Sequence, residues 1–225
     1  MSRISVIVPT LNEAAVIGRT LSQLAGVGGL ELIVSDGGSA DETVSLAARW
    51  AKVIASRAGR AAQMNEGARA ASGDVLLFLH ADSSIEGEAI GEMKRALEDP
   101  RLIGGAFRLR IEPSRPVLRL VAWGANFRTR ITGIPYGDQG IFVRSAVFHE
   151  LGGFPELPLM EDLEFSRRLK RRGRTVILRH SVGTASRRWD CEGIVRVTLR
   201  NQVMVLLYFL GVSPGRLAVW YRPVR

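Results

Sequence analysis

Short apolar runs alternate with helically spaced segments over the first hundred residues. Ile4-Ser5-Val6-Ile7-Val8 closes at Pro9 and reads as a buried strand. Asn12 is placed to cap a helix running to about Ala25, and the Gly26–Gly29 turn leads into a second strand, Leu30 to Ser35. Asp36-Gly37-Gly38-Ser39 is a turn, after which Ser39 or Asp41 caps a helix ending near Trp50. Val53 to Ser56 predicts a strand and Gly59 to Ala71 a helix. Gly73 then precedes Val75-Leu76-Leu77-Phe78-Leu79, the most apolar strand of the chain. This alternation predicts a parallel sheet with helices on both faces.

The remainder is less regular. Ile103 to Ile111 alternates like a strand, and Val117 to Arg130 has helical spacing. Gly140 to Arg144 predicts a short strand, followed by a small helix to Leu151. Glu161 to Arg172 reads as a helix, Thr175 to Leu178 as a strand and Gly193 to Leu210 as a terminal helix. With no repeat or linker in 225 residues, the expectation is one α/β domain, 1–225, with a mostly parallel central sheet and a C-terminal helix. The longest apolar run, Val203 to Val212, is too short to cross a bilayer as a helix. It reads either as part of a buried helix or as a helix on an anionic membrane, with Arg196 and Arg200 toward lipid phosphates. The N-terminus has no signal-peptide pattern.

Charge changes this picture more than composition does. The chain carries 31 Lys+Arg and 22 Asp+Glu; residues 1–100 hold 9 and 13 of these, residues 101–225 hold 22 and 9. All but Lys52, Lys94 and Lys170 of the basic residues are Arg, a side chain suited to planar contacts with phosphate or carboxylate. Genomic base composition also produces Arg bias. The single cysteine, Cys191, excludes an internal disulfide, so a cytoplasmic setting is expected, free or peripheral on the inner face of the membrane. Basic charge without a recognition helix or stacking platform argues against a nucleic-acid partner.

Ligands of open α/β sheets bind at the carboxyl ends of strands. Glu13, Asp36 and Asp82 fall at such ends. Asp82 follows five apolar residues, and a carboxylate there suits Mg²⁺ or Mn²⁺ held together with substrate phosphates; it also suits the cap of a helix near Glu86. The first strand–helix turn lacks Gly-x-Gly-x-x-Gly and Gly-Lys-Ser/Thr, and the chain has neither zinc spacing nor a nucleophile elbow. Glu161-Asp162 opens a helix ending in Lys170, Arg171 and Arg172, a gradient that the helix dipole alone accounts for. His149 and His180 read as structural.

Val8-Pro9-Thr10-Leu11-Asn12-Glu13, Asp36-Gly37-Gly38-Ser39, Asn65-x-Gly67, the Asp82 motif, Gly152-Gly153-Phe154 and Glu161-Asp162 occur in the order found in family-2 glycosyltransferases, which this chain resembles over about residues 2–180. Arg60-x-x-Gln63-Met64-Asn65, Gly104-Gly105-Ala106-Phe107, Tyr136-Gly137-Asp138-Gln139-Gly140 and Arg187-Arg188-Trp189 extend the likeness to a small bacterial subgroup. That subgroup is associated with radical-SAM proteins and named for arsenosugar biosynthesis.

The resemblance implies a GT-A fold and an inverting, metal-dependent glycosyltransferase with a nucleotide-diphospho-sugar donor. It places the donor over residues 1–100, the acceptor and catalytic base in 101–225. Pro9, Thr10, Glu13, Asp36 and Arg60 would bind the nucleoside, Asp82 the divalent ion at the diphosphate, and Asp162 would be the base, with Glu161 orienting its loop. Tyr136, Asp138, Gln139, Arg187, Arg188 and Trp189 would border an unidentified acceptor or the diphosphate. His80 replaces the usual first Asp of Asp-x-Asp, where it is a metal ligand, a ribose contact or simply packed. Ala185-Ser186-Arg187-Arg188-Trp189 lacks the Gln of the processive synthases. Transfer to a polyprenyl phosphate at a membrane, a nucleotidyltransferase and a non-catalytic nucleotide-binding protein are the other readings.

Overall fold

The computed structural model describes residues 3–221. Seven strands form one sheet: β1 (Ile4–Thr10), β2 (Leu30–Asp36), β3 (Lys52–Ala55), β4 (Val75–Phe78), β5 (Leu102–Glu112), β6 (Ile141–Arg144) and β7 (Arg174–Ala185). Their spatial order is β3-β2-β1-β4-β6-β5-β7. All neighbours pair in parallel except at β6, which runs antiparallel to both β4 and β5. The sheet is therefore a single direction with one reversed strand.

Among the described residues, seven α-helices lie between the strands, α1 (Ala14–Val27), α2 (Thr43–Ala47), α3 (Arg60–Ala70), α4 (Gly87–Ala96), α5 (Pro116–Thr132), α6 (Ser145–Glu150) and α7 (Glu161–Arg172), and three follow the last strand, α8 (Arg187–Glu192), α9 (Ile194–Phe209) and α10 (Pro214–Trp220). The period-2 geometry of β1 divides its side chains between two cores. Ile4, Val6 and Val8 pack with Ile17, Leu21 and Met93 on one face of the sheet. Ile7 points to the other, against Met64, Phe148, Phe154 and Phe165. Helices cover both faces, as the alternation predicts.

Several boundaries differ from the sequence reading. β1 continues through Pro9 to Thr10, because a parallel neighbour pairs with it as far as Asp36. Asn12 is not the cap of α1: Glu13 takes that position, while Asn12 sits at φ 55° and its Oδ1 accepts from the N–H of Ala40. α2 ends at Ala47, short of Trp50. Asp82 does not cap α4, whose N-cap is Glu86. β7 extends well beyond Leu178, since β5 supplies a parallel partner as far as Ala185. The expected helix from Gly193 to Leu210 is α9, Ile194–Phe209; two short helices absent from the sequence reading, α8 before it and α10 after it, are set off at Gly193 (φ 87°) and Gly211 (φ 91°).

Candidate active site

The carboxyl ends of β1 and β4, the N-termini of α3 and α7, and the start of α8 converge on one edge of the sheet. A cavity of about 400 Å³ lies there, lined by Pro9, Thr10, Glu13, Arg60, His80, Asp82, Glu161, Arg187 and Arg188 among others. Next to it a second cavity, about 150 Å³, is lined by Tyr136, Asp138, Asp162, Asn201 and Met204. Arg60, His80 and Tyr221 line both. A larger cavity also meets the first at Asp82 and Arg187.

Arg60 and Glu161 form an ion pair between the two halves, Glu161 buried and Arg60 partly open to solvent. Arg60 Nε lies 2.7 Å from Glu161 Oε1, and Glu161 is 2% exposed. The Glu161 charge pushes the Arg60 guanidinium further into its charged range, against the effect of burial. The next residue, Asp162, stands in the first turn of α7, where its Oδ1 accepts from its neighbour Leu163 N–H at 2.7 Å. Its Oδ2 accepts from Gly137 N–H at 2.6 Å. That approach favours glycine: a Cβ on Gly137 would lie 3.0 Å from Asp162 Oδ2 and 3.1 Å from His80 Nε2, so both side chains would have to shift to admit it. Met160, immediately before this pair, holds φ 68°, a strained conformation for a side chain without local polar compensation.

The turn that carries Gly137 is itself clamped. Gln139 is fully buried; its Oε1 accepts from Thr129 Oγ1 at 2.8 Å and Tyr136 N–H at 3.2 Å, and its amide donates to Phe107 O. Arg128 stacks on Tyr136, 3.3 Å from guanidinium carbon to ring centroid. Asp138 lies beside them, and burial pushes its carboxyl up to about 6 against the opposing Arg128 charge. His80 moves the other way: burial, then the Arg60 charge, lower it to about 4, so its imidazole is neutral at physiological pH.

On the wall of the first cavity, Glu13 is raised by burial and opposed by Arg187, whose guanidinium lies 3.3 Å away. Asp36 stands at the end of β2 but is drawn into its own turn. It accepts from Thr10 Oγ1, Ser39 Oγ, Gly38 N–H and Ser39 N–H, which matches the acceptor capacity of a carboxylate. Trp189 also lies away from both cavities, against the cluster of Leu109, Ile111 and Leu118. His180 is held by Glu92, Nδ1 to Oε2 2.7 Å.

Four parts of this site have no counterpart among the sequence-predicted residues. Gln63 lines the first cavity and donates to Thr10 O and Ser35 O, tying β1 to β2 beneath it. The Leu157–Met160 segment closes one wall. Asn201 and Met204 come from α9, and Tyr221 from the end of the described chain, where Arg188 stacks on its ring at 4.3 Å. Of these, only Gln63 has a signal in the sequence, its place in the Arg60-x-x-Gln63-Met64-Asn65 stretch.

Among the described residues, no three His, Cys, Asp or Glu side chains converge as a metal cage. Of the carboxylates on the wall of the first cavity, Glu13 faces Arg187 and Glu161 faces Arg60, and among the described residues Asp82 is the one without an ion-pair partner. That donor set fits Mg²⁺ or Mn²⁺, which take one or two carboxylates and fill the remaining positions with substrate phosphates and water.

The sheet and its covering helices are a GT-A fold, and the sequence matches the model of "Glycosyl transferase family 2" over residues 5–148. The chain belongs to that family. A "PGL/p-HBAD biosynthesis glycosyltransferase" of Mycobacterium bovis is 41% identical over 91 residues, covering 36% of each chain. The chain thus matches about a third of the length of such curated relatives. Among solved structures, S. aureus TarS 1-349 in complex with UDP-GlcNAc aligns at TM-score 0.67 and 20% identity, over 81% of this chain and 58% of that one. The mannosyltransferase PcManGT from Pyrobaculum calidifontis, in complex with GDP-Man and Mn²⁺, aligns at TM-score 0.66 and 19% identity, over all of this chain and 66% of the other. Among the described residues, no helix is long and apolar enough to cross a membrane.

Proposed function

We propose that this chain transfers a sugar, with inversion, from a nucleotide-diphospho-sugar to an acceptor hydroxyl, using Asp162 as the base. The observation that carries the reading is the pair of cavities joined at Arg60 and His80, with Asp162 on the smaller one. The first cavity, walled mainly by the first hundred residues, takes the donor; the one bearing Asp162 takes the acceptor. UDP-GlcNAc in TarS and GDP-Man with Mn²⁺ in PcManGT support that donor class.

The acceptor oxygen attacks the anomeric carbon, its proton passes to Asp162, and the bond to the diphosphate breaks with its electron pair leaving on the nucleotide. Two backbone donors hold the Asp162 carboxylate in place, so its orientation is set before the acceptor arrives. A neutral His80 beside it leaves the carboxylate free to take that proton. Arg187 and Arg188 border the donor cavity and would offset charge developing on the leaving diphosphate. A divalent ion at Asp82 would supply further charge stabilisation there. The stretches behind the narrower subgroup likeness supply Tyr136 and Asp138 to the acceptor side and Arg187 and Arg188 to the donor side. Acceptor preference therefore resides in them.

The test is the Asp162→Asn variant, assayed for transfer and hydrolysis across a panel of nucleotide-sugars with Mn²⁺. Turnover falls by about 10³-fold or more, while donor binding measured by calorimetry persists. Unchanged turnover would overturn the base assignment.

A further inference from the structure

We propose that α5 and α9 form a docking face for the surface of an anionic lipid bilayer. This goes beyond the transfer reading and does not depend on it. A surface helix ordinarily buries its apolar stripe and shows a polar face to water. These two helices show apolar faces on both sides.

α5 buries Leu118 and Ala122 toward the sheet, yet Val117, Leu120, Trp123, Phe127 and Ile131 are all exposed, Trp123 by 62% and Ile131 by 68%. Their spacing of three and four residues gathers them on one stripe, opposite the buried one. α9 repeats the arrangement: Val197 and Met204 are buried, whereas Val195, Leu199, Val203, Leu206 and Phe209 are exposed. Exposed apolar stripes on neighbouring helices mark an interaction surface.

The charge around the stripes selects its occupant. α5 contains Arg119, Arg128 and Arg130, α9 contains Arg196 and Arg200, and neither helix contains an acidic residue. Arg200 is turned inward onto Glu192 and Tyr221, which corrects its expected role toward lipid. The outward cations are supplied chiefly from the α5 side. There a groove of about 520 Å³ is lined by Arg108, Arg130, Arg179 and Asn126, with Trp123 and Phe127 stacked at its rim, 5.4 Å apart. Among the described residues, none of those three arginines has an ion-pair partner. Aromatic and aliphatic side chains beside unneutralised arginines match an acyl boundary beneath phosphate headgroups. A second copy docked through the same face would bring like charges together. The opposite side of α9 contributes Asn201, Met204 and Val205 to the smaller active-site cavity, so this seat would hold the acceptor side close to the bilayer.

Flotation of the purified chain with phosphatidylcholine vesicles, with and without phosphatidylglycerol, tests the proposal. The wild type floats with the anionic vesicles, and added salt weakens the association. Arg108→Ser/Arg130→Ser/Arg179→Ser lowers the partition coefficient by about 100-fold, and Trp123→Ser/Phe127→Ser by about 10-fold or more. Circular dichroism shows both variants folded, and donor binding by calorimetry is unchanged because none of the five residues lines the candidate site. Absence of flotation by the folded wild type, or flotation unaltered in both variants, overturns the proposal. So does a dimer that dissociates in the Trp123 variant, or binding of a single-stranded RNA oligonucleotide, when no vesicle binding accompanies it. Flotation with no donor binding overturns the transfer reading alone, and donor binding without flotation overturns the docking face alone.

Discussion

Replacing Arg60 with Met leaves Glu161 as a carboxylate with 2% exposure and no cation beside it. Breaking a fully buried ion pair from one side costs about 3–5 kcal/mol. Arg60 is 41% exposed, so water already screens part of the attraction, and the expected loss is about 2–3 kcal/mol. The loss also depends on pH. Burial already raises the Glu161 carboxyl in the folded state, with Arg60 opposing it, so without Arg60 it rises further above the unfolded value of about 4.3. Between those two values the folded state binds more protons than the unfolded one, so stability falls as pH rises. Relative to wild type, the variant is therefore worst near about pH 8 and recovers toward about pH 5. Adding Glu161→Leu removes the stranded charge and restores most of the loss, less about 0.3–1 kcal/mol for an acidic group in the first turn of α7. Urea unfolding followed by circular dichroism at both pH values, for wild type and the single and double variants, measures all of this. A single-variant loss below about 1 kcal/mol, or a double variant no more stable than the single, would refute the reasoning.

Asp138, held at about 6 by burial, binds a proton in the folded state that it releases on unfolding, so its contribution to stability declines as pH rises from about 4 through 6. Asp138→Asn should melt above wild type at about pH 7.5 and match it at about pH 4 in scanning calorimetry. Gly153 holds φ 73°, and a Cβ there would lie 2.6 Å from Asn65 Oδ1, which accepts from Phe154 N–H. Gly153→Ala should cost about 2–4 kcal/mol in urea unfolding, combining backbone strain with lost hydrogen bonding. Trp189→Ala should lower stability by about 1–3 kcal/mol and leave donor affinity by calorimetry unchanged, since the side chain supports a core cluster away from both cavities.

The first half of the fold was legible because its signals are local. Buried parallel strands must be short and apolar, and glycine-rich turns must separate them from helices with 3.6-residue periodicity. Asn12 shows where local reasoning stops. An Asn before a helix can cap it or reach a neighbouring loop, and here the N–H of Ala40, twenty-eight positions on, is the donor it meets. Arg179 and His180 interrupt the apolar run of β7, so the run alone predicts a shorter strand; pairing with β5, invisible along the chain, carries it past them. At the site, motif residues found the strand ends and the start of α7. Tyr221 stayed hidden because its place depends on stacking with Arg188, thirty-three positions earlier. Trp189 lies in a site-like motif, but motif position does not say which way an aromatic ring turns.

The reversed strand β6 has a consequence for how the protein reaches its native state. The parallel pairs β1–β2 and β2–β3 close over short stretches of chain, whereas the Arg60–Glu161 joint spans 101 positions and Glu13–Arg187 spans 174. Closing long loops costs more chain entropy and slows the contacts that depend on it. The nucleotide-side layer can therefore condense before the remainder docks through β6 onto β4. Both charged joints belong to that docking step, so the cleft is a late product of folding, and an arrested folding species would hold much of the sheet but no complete active site.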